Sequence, residues 1–175
     1  MAILDIITAP DLRLKVVSKP VKVVDAATAT LLDNMLETMY DAVGIGLAAI
    51  QVGVEQRVIV IDIADEDGKK GNPLELINPQ VIWSSAEEHV HEEGCLSLPE
   101  HYAEVIRPDE IKLKYLDREG KKHELHATDL LATCIQHEMD HLEGILFVDH
   151  ISAMRRNMIL RKLKKLRRMK QTEAA

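Results

Sequence analysis

Residues 137–141 read His-Glu-Met-Asp-His, inside a largely apolar stretch that runs from Leu130 to Leu142 and stops at Gly144. Two histidines at this spacing meet only on a helix, where one turn of ~5.4 Å separates them; on a strand they would stand roughly 13 Å apart. Thr128 and Asp129 supply the start chemistry for it. On that helix the two imidazoles lie on one face, about one turn apart, with a carboxylate beside the first. Both imidazoles could reach one metal ion, with Glu138 set to act on a water held beside it. The same pattern also occurs in helices that simply display two surface histidines, so the remainder of a site has to be sought elsewhere.

A catalytic metal usually takes three protein ligands and keeps a position for water. One protease class places a third His six residues after the second; here Phe147 stands there. Another class uses a downstream Glu, but no acid lies between Asp149 and Glu173. Cys134 precedes His141 by seven helical residues, a rise of ~10 Å, too far for shared bonds of ~2 Å, and reads as an apolar wall residue. Cys95 remains, in Glu93-Gly94-Cys95-Leu96-Ser97. A cysteine in such a strand-like segment is often merely buried; the missing third ligand favours coordination.

The other elements follow from periodicity. Residues 6–20, with Pro10 and Pro20, are expected to be extended. A helix is predicted over Asp25 to Val43, with Ala27, Leu31, Leu32, Met35, Leu36, Met39 and Tyr40 on its apolar face and Gly44 and Gly46 stopping it. Residues 57–63 form a β-branched strand, Asp65 to Asn72 a polar turn with Gly68 and Gly71, and Leu74 to Trp83 a strand interrupted by Pro79. Residues 110–116 alternate as a half-buried strand, Asp117 to Gly120 turns the chain, and Lys121 to Ala127 pairs back. A last helix is predicted over Ser152 to Lys170. This order gives an α+β domain. At 175 residues it is expected to be one domain. With aromatic residues at 3%, its core must be aliphatic.

Three blocks then resemble the peptide deformylase family in order and spacing: Gly44-Ile45-Gly46-Leu47-Ala48-Ala49-Ile50-Gln51, Glu93-Gly94-Cys95-Leu96-Ser97, and Gln136-His137-Glu138-Met139-Asp140-His141-Leu142-Glu143-Gly144. The opening Pro10-Asp11-Leu12-Arg13-Leu14 is similar too, and the likeness covers roughly residues 4–150. The form of the cysteine block points to the bacterial type. The resemblance implies antiparallel sheets packed around the metal-binding helix, with N-terminal and C-terminal helices. It implies Cys95, His137 and His141 as metal ligands and Glu138 as the group that moves the proton. The Leu96 N–H and the Gln51 amide would meet the charge on the formyl oxygen. Gly44, Ile45 and Gly46 would edge the substrate channel, and Ile45, Leu130 and Cys134 would line a methionine pocket. Glu93 and Gly94 belong to the same binding segment, with Glu93 paired to Arg107. Tyr102 stands where some members have Arg. The remaining histidines, His89, His91, His101, His123, His126 and His150, match no ligand position and read as surface or supporting residues. The implied activity is removal of the formyl group from formyl-methionyl N-termini. Its divalent ion is Fe(II) by resemblance, and the donor set also suits Zn(II), Ni(II) or Co(II). An internal metallopeptidase lacks its usual third ligand here, and a purely structural metal would want four protein ligands and leave Glu138 idle.

Charge adds one partner. Residues 155–175 hold nine Lys and Arg against one Glu, whereas the whole chain carries −7. An acidic body thus ends in a basic helix, residues 152–170, whose apolar stripe of Ile159, Leu163 and Leu166 should face the body. Cations without interleaved anions point to RNA, and for this family to the ribosome. The stripe has no aromatic anchor for a membrane, and no DNA-binding pattern is expected. The Gly44-Gly46 pair follows no strand, against a dinucleotide site. Without a leader-like start or a run of ~18 apolar residues, a cytoplasmic location is expected.

Overall fold

The computed structural model describes residues 2–63 and 71–173. Most of the expected turn from Asp65 to Asn72 lies outside them. Three helices, α1 (Ala26–Asp41), α2 (Asp129–Leu142) and α3 (Ala153–Glu173), accompany seven strands: β1 (Gly46–Ala48), β2 (Val58–Ile61), β3 (Leu74–Ser84), β4 (Glu88–Cys95), β5 (Leu98–Pro108), β6 (Glu110–Leu116) and β7 (Lys122–Thr128). All pairings are antiparallel, in a five-stranded sheet of order β1-β2-β3-β6-β7 and a two-stranded sheet β4-β5.

β2 explains the layering. Its run Val-Ile-Val-Ile is buried throughout, because alternate residues face opposite layers. Ile59 and Ile61 pack with Leu76, Leu113 and Ile135 on the α2 side. Val58 and Val60 pack with Leu32, Met35 and Met39 of α1 on the other. α2 also touches β5 of the small sheet, so it lies between the two sheets. A third cluster ties the small sheet to both ends of the chain: Leu98 and Val105 meet Leu14, Phe147, and Ile159 and Leu163 of α3.

Several expectations change in detail. α1 buries Thr28 and Thr38 rather than Ala27 and Tyr40. Both threonines are satisfied: the Thr28 N–H donates to the capping Asp25 carboxylate at 3.0 Å, and the Thr38 hydroxyl donates to the Asn34 carbonyl at 2.7 Å. The helix ends at Asp41, and Val43 two residues on takes φ 57°, so neither glycine supplies the left-handed residue. The opening segment contains a short 3-10 turn, Leu12–Lys15. Pro79 is accommodated by a register shift between Ile77 and Gln80. β1 and the β4-β5 hairpin are additional to the strands that periodicity predicts. Leu166 is 44% exposed, so the stripe on α3 ends at Leu163.

Gly144 closes α2 against the N-terminal segment. Its φ is +70°, and a Cβ there would stand 2.4 Å from the Lys15 carbonyl oxygen. Gly53 has φ +83°, but its nearest neighbour would be the Ile7 Cδ1 at 3.7 Å. Gly53→Ala should therefore cost only the left-handed penalty of about 1–2 kcal/mol, and Gly144→Ala distinctly more. Urea unfolding of both variants checks this; equal losses would remove the steric account of the α2 terminus.

Candidate metal centre

On α2 the residues Leu130, Thr133, Cys134, His137, Glu138 and His141 fall at helical spacing on one face. On β4, strand alternation sends His89, His91, Glu93 and Cys95 to one side. A register shift between Gly94 and Cys95, followed by the turn at Leu96 and Ser97, ends the hairpin at the helix. The Cys95 Sγ lies 3.3 Å from His141 Nε2. One donor atom from each of Cys95, His137 and His141 lies within 4.8 Å of the others. A sulfur and two imidazole nitrogens converging at a largely buried point fit a divalent first-row ion.

The surroundings orient these donors. His137 Nδ1 is 2.8 Å from Glu93 Oε2, which leaves Nε2 for the centre. Glu93 in turn accepts from Arg107 Nε at 2.5 Å and Nη2 at 3.0 Å, and Arg107 Nη1 donates to Asp140 at 2.8 Å. Burial opposes ionisation of Glu93, but the Arg107 guanidinium and His137 overcome it and hold the carboxyl down at about 2. A carboxylate behind a metal-facing imidazole fixes its tautomer and rotation.

Glu138 has the opposite environment. Burial is the main cause that pushes its carboxyl up to about 7, and its Oε2 has no partner among the described residues. Gly46 makes room for it: a Cβ on Gly46 would lie 2.6 Å from Glu138 Oε1 and 2.9 Å from Cys134 Sγ. Gln51, on the 3-10 turn after β1, accepts from the Ala48 N–H at 2.8 Å. Its Nε2 lies 3.1 Å from Ser97 Oγ and 3.6 Å from Cys95 Sγ, so the amide is pinned beside the sulfur.

A cleft of about 390 Å³ opens over this group. Val43, Gly44, Ile45 and Gly46 form one wall, and Leu96 and the segment from Leu98 to Tyr102 form the other. A side pocket of about 110 Å³ continues between Ile45, Leu130, Thr133 and Cys134. Burial raises the Cys134 thiol well above its ordinary value, so it is a neutral wall group. Glu93 and Gly94 also border the side pocket, though the Glu93 carboxylate is engaged by Arg107 and His137. Sequence reasoning missed four participants: His91 and Thr133, which line the side pocket, Ser97 and Asp140. The signal for His91 was its place two residues before Glu93 and four before Cys95, on the same strand face.

The polypeptide deformylase family model matches residues 3–157. The chain is 52% identical over 177 residues to the peptide deformylase of Bartonella tribocorum, covering 100% of this chain and 99% of that one. It is 55% identical over 172 residues to that of Rhizorhabdus wittichii, covering 96% and 97%. Its structure resembles the crystal structure of peptide deformylase from Ehrlichia chaffeensis in complex with actinonin, with a TM-score of 0.90, 40% identity, and coverage of 94% of this chain and 98% of that one. The Legionella pneumophila peptide deformylase structure gives 0.88, 45% identity, and coverage of 97% and 98%.

Arg107→Met leaves the Glu93 carboxylate buried without its cation, since both side chains are about 5–6% exposed. Loss of one partner from such a pair costs about 3–5 kcal/mol. Adding Glu93→Gln should return part of it by removing the charge. Urea unfolding of the single and double variants decides; a loss below about 1 kcal/mol for Arg107→Met would show that the pair does not hold the hairpin to α2.

Proposed function

The chain belongs to the peptide deformylase family, and from that premise we propose how its own residues divide the reaction. The enzyme is a metal-dependent hydrolase of protein biosynthesis that removes the N-terminal formyl group from formyl-methionyl nascent polypeptides. The observation that carries the assignment of roles is the convergence of Cys95, His137 and His141 beside a buried Glu138 at the base of one cleft. Cys95, His137 and His141 hold the divalent ion, which we take to be Fe(II), with Zn(II), Ni(II) and Co(II) as ions the same donors accept. When bound, that ion supplies Lewis acidity, polarising the formyl carbonyl and making water nucleophilic near neutral pH.

Glu138 takes the proton from the attacking water and passes it to the leaving amine. A carboxyl raised to about 7 is suited to both halves of that transfer at neutral pH. The Leu96 N–H and Gln51 Nε2 donate to the formyl oxygen as charge collects on it; the fixed Gln51 amide needs little reorganisation to do so. The backbone of Gly44, Ile45 and Gly46 aligns the peptide along the cleft wall, with Gly94 opposite. Ile45, Leu130 and Cys134 receive the methionine side chain. The described residues are read as one domain that includes the basic α3, since Ile159 and Leu163 join the core.

The outward face of α3 binds the ribosome. Arg161, Lys162, Lys164, Lys165, Arg168 and Lys170 are exposed and make no ion pair among the described residues. Arg156 and Arg167, by contrast, are taken up by Asp149 and Asp11. No helix among the described residues is long and apolar enough to cross a membrane; the proposed site of work is the cytoplasm, where ribosomes present new N-termini.

Glu138→Gln keeps the volume and removes the base. Hydrolysis of a formyl-Met peptide should fall by at least about 100-fold while elemental analysis still finds the ion. Undiminished turnover would take Glu138 out of the mechanism. For α3, truncation would also strip Ile159 and Leu163 from the core, so charge substitution is the cleaner test. Changing Arg161, Lys164, Lys165 and Arg168 to Gln should weaken ribosome co-sedimentation. It should also flatten its salt dependence by roughly one log-log unit for each phosphate no longer neutralised. Identical binding curves would end the ribosome reading.

A further inference from the structure

The amide of Gln51 has two unlike ends, and its neighbours fix which end faces which. Oε1 accepts the Ala48 N–H at 2.8 Å. A backbone N–H can only donate, so the amide oxygen must stand there and the nitrogen at the other end. Nε2 lies 3.1 Å from Ser97 Oγ, which therefore accepts, and 3.6 Å from Cys95 Sγ. Ser97 thus takes one of the two Nε2 hydrogens and leaves the other for the side of the sulfur, where the metal donors converge. Both side chains are sealed from water, Gln51 at 1% exposure and Ser97 at 0%. The N-terminal segment holds their backbones in step. The Ile7 N–H donates to the Gln51 carbonyl and the Ala9 N–H to the Ser97 carbonyl, each at 2.8 Å.

We infer that Ser97 is a positioning residue for the reaction, whose hydroxyl oxygen sets the Gln51 amide so that its second N–H meets the charge on the formyl oxygen. This inference rests on the reading that Gln51 donates to that oxygen. The Ala48 bond anchors the carbonyl end alone, and the terminal torsion of a glutamine is broad. Ser97 supplies the second anchor, and two anchors set the amide plane. A donor already aimed where charge develops needs no reorganisation during the reaction. An amide that must first be turned costs rate more than substrate binding, because the demand on it peaks in the transition state. Without Ser97 the freed N–H is buried without an acceptor of comparable strength, since sulfur accepts weakly. Three consecutive residues then divide the work around one point. Cys95 supplies the sulfur, Leu96 one donor to the formyl oxygen, and Ser97 the anchor of the other donor.

The experiment is a double-mutant cycle of Ser97→Ala and Gln51→Ala, with kcat and KM measured on a formyl-Met peptide and expressed per bound metal ion. Gln51→Ala should lower kcat by about 100-fold or more, as loss of an oxyanion donor does. Ser97→Ala should lower kcat by about three- to tenfold and leave KM within about twofold. In the Gln51→Ala background the same change should alter kcat by less than about twofold, because no amide remains to be positioned. An equal loss in both backgrounds would make Ser97 a residue of general packing and overturn the inference, with the deformylase reading intact. Unchanged kcat in Gln51→Ala would instead remove the reading of Gln51 on which the inference rests. Nuclear magnetic relaxation of the Gln51 side-chain amide in the Zn(II)-loaded enzyme gives a second readout. Its order parameter should lie near the rigid value of about 0.85 in wild type and fall in Ser97→Ala; a wild-type value below about 0.6 overturns the inference even if the alanine variant does not fold.

Discussion

The buried carboxylate of Glu93 is the contact on which the cleft depends. It receives two donors from Arg107 on the neighbouring strand and reaches His137 on α2, while Arg107 continues to Asp140 one turn along. One charged cluster thus fastens a two-stranded hairpin to a helix more than thirty residues away in sequence. A hairpin of two strands has marginal stability by itself, and β4 brings few apolar side chains to the joint. Buried ion pairs are weak contributors to net stability, yet they penalise misregistry heavily because a displaced charge goes unpaired. In this chain the register they protect is the one that delivers the Cys95 sulfur to His141.

The same low-dielectric interior treats two glutamates in opposite ways. Glu93, between a guanidinium and an imidazole, stays ionised well below the ordinary carboxylate range; Glu138, without such a partner, is raised to about 7. Such a separation is what the proposed division of roles needs, one carboxyl holding the site and the other moving protons. The separation depends on backbone approach. Gly46 lets β1 lie against the Glu138 carboxylate where any side chain would collide. It keeps that group dry, and dryness is the chief cause of its raised pKa.

What could be read from the sequence followed from how local each signal is. The helix with His137 and His141, the alternating strand β6 and α3 have a periodicity that names both element and inward face, and the β-branched run of β2 names the element. The β4-β5 hairpin was illegible for a physical reason. Its inward positions on β4 are His91, Glu93 and Cys95, and its apolar Val90 and Ile106 face out, so the alternation that marks a strand is absent. Val43 at a positive φ has no sequence mark at all; the Gly44 N–H to Met39 carbonyl bond at 2.9 Å closes the helix end around it. The exposed Leu166 shows the limit of stripe reading on α3. Helical spacing carries on past the point where the body offers a surface to cover it.

The candidate site divides along the same line. Residues that hold an ion or move a proton are a narrow set of types, and their spacing on α2 was visible at once. Residues that shape the space around them carry no such mark: His91, Thr133 and Ser97 acquire meaning only when β4, α2 and the turn after Cys95 are brought together. His91 is the sharpest instance. On a strand read by itself it is one more solvated histidine. Placed two residues from a buried ion pair and four from the sulfur, it joins Leu130, Thr133 and Cys134 around the side pocket. The strand that brings the Cys95 sulfur to the candidate metal centre therefore also supplies part of the side-pocket wall.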